Sequence, residues 1–250
     1  MELNIKDKKV LITGSSKGIG LGILSSFVKE GSLVVANSRN DNSLDYVSEK
    51  FGCHTVKADV SDSIQAKELI EKAIDLMGGL DILVCNVGGG SSVPPGQESR
   101  KEWGRVFDKN FFSTTNTVEA AWTYLKKSSG SIVCISSICG TNVIDQAPVT
   151  YGTAKAALNH YVRTISKTLA KDNVRINAIA AGNILFEGSS WEKKLHKDEH
   201  NVKKMIQQKV PLNIFGDVED ISNLVLYLSS PLSKFITGSI YTIDGGQSCN

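Results

Sequence analysis

The chain has 250 residues, 41% hydrophobic and 22% charged, the size of one large α/β domain or two small ones with a sizeable core. A formal net charge of +2 is too small to argue for nucleic acid or an anionic membrane surface as a partner. Cys53, Cys85, Cys134, Cys139 and Cys249 are odd in number and form no C-x-x-C pair, which argues against a disulfide framework or a zinc site and fits a reducing cytoplasm. The polar start MELNIKDKK runs straight into VLITG with no secretory segment, and no apolar run has the length of a bilayer span.

In chain order, a strand is expected over 9–13. It leads into Thr13-Gly14-Ser15-Ser16-Lys17-Gly18-Ile19-Gly20, a glycine-rich loop that opens a helix over 18–29. A helix N-terminus offers free N–H donors and the positive end of the dipole. Glycines there let the backbone approach a pyrophosphate, and placement after the first strand is the context a dinucleotide loop requires. The second strand, 32–37, ends in Asn37-Ser38-Arg39-Asn40. At this point an acid bonds the 2′-hydroxyl of NAD, whereas arginine accommodates the 2′-phosphate of NADP. Ser38 and Arg39, with no acid before Asp41 and with Lys17 as a second cation, favour NADP(H).

A third strand at 54–57 precedes Asp59-Val60, candidates to meet the adenine, and a helix over 63–77. The fourth strand, 80–86, ends at Asn86, and Gly88 then lets the chain pass close to a cofactor. A helix follows over about 102–126, a strand at 131–136, a helix over 149–170, a strand at 174–179, a helix over 218–228 and a closing strand at 240–243. This rhythm argues for a single doubly wound parallel sheet with helices on both faces. Runs such as VLIT and DILVCN are almost wholly apolar, as strands covered on both sides must be. Nothing reads as a linker or repeat, so residues 1–250 are expected to form one domain. Segment 185–212, rich in Lys and Glu, interrupts the rhythm as a candidate mobile insertion. In TYGTAK, Tyr151 and Lys155 stand four apart in a helical stretch and so share a face.

Taken together, TGSSKGIG, ADV, CNVG, Asn110 in KNFFS, Ser137 in ISSICG, YGTAK and the closing YTIDGG resemble the short-chain dehydrogenase/reductase family over nearly the whole chain. The resemblance implies a Rossmann fold. It also implies that Tyr151 is the general acid/base, and that Lys155 lowers the phenol toward working pH and holds the nicotinamide ribose. Ser137 would polarise the carbonyl, with Ser136 the neighbouring alternative, and Asn110 would hold a water in a proton relay behind Lys155. Cofactor contacts would come from Gly14, Ser16, Lys17, Gly18, Ile19, Gly20, Ser38, Arg39, Asp59, Val60, Asn86, Gly88, Tyr151, Lys155, Gly182 and Ile184.

The chain departs from the family pattern in three places. Cys85-Asn86-Val87-Gly88 replaces Asn-Asn-Ala-Gly, and Gly89-Gly90 extend it into a loop expected to be more flexible. Ala181-Gly182 replaces Pro-Gly. Phe186 stands where a threonine commonly seats the nicotinamide carboxamide, a role Asn183 is expected to take.

In the family, the region 185–212 is the substrate lid. Here it carries Lys193, Lys194, Lys197, Lys203, Lys204 and Lys209, which read either as a solvated face or as a trap for an anionic substrate. Trp191 is either an aromatic wall or core. His196 and His200 have the four-residue spacing of metal ligands on a helix, but no acidic ligand partners them and the family needs no metal. Trp103, Trp122 and Tyr124 are either core or anchors of a homotetramer, and His160 reads as packed or at an interface.

The leading expectation is a cytoplasmic NADP(H)-dependent carbonyl reductase or alcohol dehydrogenase, similar to the 3-oxoacyl-(acyl carrier protein) reductase group. It would act on a small molecule, carrier-bound or anionic. The alternatives are a sugar or nucleotide-sugar enzyme of surface-glycan synthesis, and a non-catalytic NADP-binding regulator. Against the last stands the intact set of Asn110, Ser137, Tyr151 and Lys155.

Overall fold

The computed structural model describes residues 2–249. Seven parallel strands run β1 Lys9–Ile12, β2 Leu33–Ser38, β3 His54–Lys57, β4 Ile82–Cys85, β5 Ser131–Ser137, β6 Arg175–Ala181 and β7 Ile240–Ile243. They form one sheet in the order β3-β2-β1-β4-β5-β6-β7. The order reverses between β1 and β4, the switch point where ligands bind beyond the strand ends in such sheets. The helices are α1 Gly18–Lys29, α2 Asp41–Phe51, α3 Ser63–Met77, α4 Arg100–Phe107, α5 Ser113–Ser128, α6 Val149–Leu169, α7 Ser190–Lys197, α8 Glu199–Lys209 and α9 Val218–Ser229.

Strand residues alternate between the two faces. In β1, Leu11 joins a core with α3, α5 and α6 residues such as Leu69, Leu125 and Leu158. Val10 and Ile12 join the other core, with Ile23 and Phe27 of α1, Leu44 of α2 and Val225 of α9. Both faces are therefore buried, which explains the continuous apolar runs. Burying each such side chain stabilises the fold by about 1.5–3 kcal/mol. Helix ends follow local chemistry. The Asp62 carboxylate accepts from the Ile64 and Gln65 amides to start α3, and Asp217 and Asp220 cap α9 reciprocally.

Two elements differ from the expected pattern. Helix α2 gives no clear period in the sequence, because only Leu44 and Val47 are buried among its residues. The expected helix over 102–126 is interrupted by a π turn at Asp108–Phe112. The insertion 185–212 is largely helical, and α8 is seated by Val202 and Ile206.

Candidate active site

A cleft of about 2200 Å³ opens along the carboxyl ends of the strands. Every candidate cofactor residue named from the sequence lines it, from Gly14 to Ile184. Its floor begins with backbone clamps. The buried Asn37 amide donates to the Val56 and Ala58 carbonyls at 3.1 Å, and its oxygen accepts from the Gly14 amide at 3.3 Å. Asn86 Nδ2 donates to the Thr13 and Gly14 carbonyls at 3.1 and 2.9 Å. These two asparagines lock the glycine loop to three strands. Gly20 has no room for a side chain, since a Cβ there would lie 2.5 Å from Asn86 Nδ2 and 2.9 Å from Ser15 Cα.

The start of α1 has no side-chain cap, so its free N–H groups remain available to an anion. At the end of β2, Ser16 Oγ and Ser38 Oγ are 3.0 Å apart. Arg39 pairs with Asp59 at 3.0 Å, a link with no signal in the sequence, where the two residues lie 20 positions apart. Partial burial pushes the Asp59 carboxyl up, but the Ser61 hydrogen bonds, and after them the Arg39 pair, hold it below its usual range.

Three of the four candidate catalytic residues line the cleft, and Asn110 lies just behind it. β5 and α6 carry the others. Consecutive residues on β5 point to opposite sides, which separates the two serines. Ser136 Oγ donates to Asn159 Oδ1 at 2.6 Å within the core, leaving Ser137 beside Tyr151. Burial pushes the Tyr151 phenol up to about 12, against the opposing hydrogen bond of Ser137. Lys155 is 3% exposed. Burial brings its ammonium down to about 8, the Cys134 and Cys85 thiols resist this, and the Lys109 charge adds to it.

Lys155 and Tyr151 each have a neighbour of their own. The ammonium donates to the Ile135 carbonyl at 2.8 Å, and Ser137 is the group that counters burial at the phenol.

Asn110 sits in the π turn, a helical irregularity common at functional sites. Its Oδ1 accepts from the Gly89 amide at 2.9 Å, and its Nδ2 donates to the Val106 and Gly89 carbonyls at 3.0 and 3.3 Å. Both amide hydrogens are thus used, and one lone pair on Oδ1 stays open. The glycine run has a packing reason. A Cβ on Gly88 would meet Asn110 Oδ1 at 3.0 Å and Lys155 Nζ at 3.1 Å, and one on Gly90 would meet the Tyr151 ring at 3.6 Å. Beyond it, Ser92 Oγ lies 2.7 Å from both Glu102 and Thr150. The loop expected to be more flexible is therefore latched to α4, α6 and the π turn.

The opposite wall is the lid. Trp191 lines the cleft, stacks at a tilt on Phe215 with centroids 5.6 Å apart, and carries Lys194 Nζ 4.3 Å from its ring centre. Lys193, Lys194, Lys197 and Lys209 line the cleft, Lys209 paired there with Asp145, whereas Lys203 pairs with Glu199 outside it. His196 and His200 fall on different helices, α7 and α8, separated by Asp198 with φ −158° and ψ 75°. The expected shared-helix spacing does not exist. Asn183 donates to Gln247 at 2.8 Å. Phe186 packs over the glycine loop, where a Cβ on Gly18 would lie 2.6 Å from its ring. Trp122 is tied internally to Asp172 at 2.9 Å, and His160 is exposed on α6.

The residues present fit a dinucleotide phosphate group: an uncapped helix start, backbone held at close approach, and cations at Lys17 and Arg39. Lys109, unnoticed in the sequence because it lies inside a helical pattern, also lines the cleft.

Residues 14–248 match the family described as enoyl-(acyl carrier protein) reductase. An oxidoreductase of Mycobacterium tuberculosis is 36% identical across 97% of this chain and 92% of its own length. The 3-oxoacyl-[acyl-carrier-protein] reductase of Thermotoga maritima is 30% identical across 98% of this chain and 99% of its own. The L-sorbose reductase of Gluconobacter frateurii, solved with NADPH and L-sorbose, superposes with a TM-score of 0.91 at 29% identity, covering 99% of this chain and 98% of that one.

Proposed function

Because the chain belongs to the short-chain dehydrogenase/reductase family, we propose that it is an NADP(H)-dependent oxidoreductase acting on a carbonyl or secondary alcohol. The observation that carries this is the convergence of Ser137, Tyr151 and Lys155 at one end of a cleft whose other end presents the glycine loop and Arg39. The nicotinamide, when bound, supplies or accepts the hydride.

In reduction, Tyr151 Oη gives its proton to the carbonyl oxygen, and Ser137 Oγ donates a hydrogen bond to the same oxygen. A phenol held near 12 is protonated at neutral pH and is ready as an acid. Lys155 passes a proton on to the tyrosine and regains one from the relay water, so it ends the cycle with its positive charge. Asn110 holds the 88–90 loop against Lys155 and offers its open Oδ1 lone pair to a relay water. Gly14, Gly18 and Gly20 bring backbone to the diphosphate, Ser38 and Arg39 take the 2′-phosphate, and Asp59 and Val60 border the adenine. Gly182, Asn183 and Ile184 border the nicotinamide.

For the substrate, the 3-oxoacyl thioester reading is supported by the Thermotoga maritima relative. A polyol or ketose reading is supported by the L-sorbose reductase fold match and by polar cleft residues such as Asn142, Gln146 and Gln247. A homotetramer in the cytoplasm is part of the same proposal, supported by Phe112, 43% exposed just ahead of α5. Sedimentation at the mass of one chain would remove it.

The test is NADPH binding by fluorescence, followed by turnover with a 3-oxoacyl thioester and a panel of ketoses. Binding without turnover on any carbonyl, unchanged in Tyr151→Phe, would overturn the enzymatic reading in favour of a regulator.

A further inference from the structure

Lys109 stands one residue before Asn110 in the π turn. Its ammonium presses on the glycine run so closely that a Cβ on Gly89 would lie 2.7 Å from Nζ. The side chain is partly buried and lines the cleft. Two arginines share its surroundings, and each already holds a carboxylate: Arg39 on Asp59 at 3.0 Å and Arg105 on Glu102 at 2.6 Å. Among the described residues, Lys109 and Lys17 take part in no ion pair. Burial lowers the Lys109 ammonium, and Arg39, Arg105 and Lys17 push in the same direction. Its charge also reaches Lys155. Lys109 therefore shares one cleft with Arg39 and the catalytic ammonium. A partly desolvated cation among like charges, with no counterion of its own, calls for an anion from outside the chain.

We propose that Lys109 binds a phosphate of the dinucleotide, as a third cofactor cation beside Lys17 and Arg39. The inference rests on the NADP(H) reading above. A charge-assisted hydrogen bond of this kind changes affinity by on the order of tenfold or more.

The test titrates NADPH and NADH, by nucleotide fluorescence and without substrate, into the wild-type protein, Lys109→Met and Lys109→Arg at low and high ionic strength. Lys109→Met should weaken NADPH by on the order of tenfold and flatten the salt dependence of binding, and Lys109→Arg should restore most of both. Equal loss for NADPH and NADH assigns the lysine to the diphosphate, and loss for NADPH alone assigns it to the 2′-phosphate. NADPH affinity in Lys109→Met indistinguishable from wild type overturns the inference. So does weakened binding with an unchanged salt slope and no rescue by arginine, which marks a lysine that only supports the loop. If the wild-type protein binds neither dinucleotide, the proposed function itself fails, and this inference with it.

Discussion

The two walls of the cleft are made by opposite means. On the sheet side, backbone does the shaping: Asn37 and Asn86 bolt the glycine loop to β2, β3 and β4, and Gly20 lies against its neighbours with no space for a Cβ. On the lid side, side chains do it: α7 has no buried residue, and α8 is seated by Val202 and Ile206. The first wall follows from the need to close a parallel sheet, so many relatives can share it. The second is loosely specified by the core and can differ between relatives without cost to the fold. Chemistry and cofactor should therefore depend on the first wall, and substrate choice on the second.

The largest effect that could break this division is at Tyr151. Replacement by Phe should lower kcat by about 10³–10⁴-fold while leaving the NADPH dissociation constant within about twofold, as expected for loss of a general acid. The same phenol sets a pH signature. Because burial holds it protonated, alcohol oxidation, which needs the phenolate, should rise with pH from neutral upward. Carbonyl reduction, which needs the phenol, should not. Equal pH profiles in the two directions would reassign the proton to another group.

Next is Gly20→Ala. The new Cβ collides with the Asn86 amide and the Ser15 backbone. Thermal denaturation should show a loss of about 2–3 kcal/mol, typical of overpacking, together with weaker cofactor binding. An unchanged melting temperature would mean that the sheet-side wall is softer than its clamps suggest.

Arg39→Asp should shift coenzyme preference toward NAD(H) by about tenfold or more, as charge reversal at a phosphate contact requires. Because Arg39 already holds Asp59, the variant also sets two carboxylates side by side. A coenzyme ratio that stays put would assign 2′-phosphate recognition to Lys17 and Lys109.

The smallest effect is expected on the lid. Joint replacement of Lys193, Lys194 and Lys197 by Gln should raise KM for a carboxylate- or phosphate-bearing substrate only a few-fold, since exposed charges contribute about 1 kcal/mol or less. It should leave neutral ketoses and NADPH affinity unaffected. A large fall in NADPH affinity would erase the division between the walls.

What the sequence made legible follows the same divide. The strands and the helices α1, α3, α6 and α9 were readable because burial on regular faces imposes a period, and α3 has the bounds expected for it. Ser137 could be preferred to Ser136 from motif position, but the reason, an Asn159 partner 23 residues away in sequence, depends on how α6 crosses β5. The Arg39–Asp59 pair joins the ends of neighbouring strands and leaves no local signal. Helix α2 has too few apolar anchors to show a period. The π turn was hidden because its residues continue a helical pattern, and only the hydrogen bonding changes.

That turn has one more consequence. In a regular α-helix, successive residues point about 100° apart. The winding at Asp108–Phe112 is wider, and there two adjacent side chains meet one short loop: Asn110 hydrogen-bonds Gly89, and Lys109 Nζ packs against it. The vulnerability here is one of length. Removing any single residue between 108 and 112 would keep almost every chemical group, yet rotate α5 against α4 by about a quarter turn, and the pair would fall out of phase with the loop it holds.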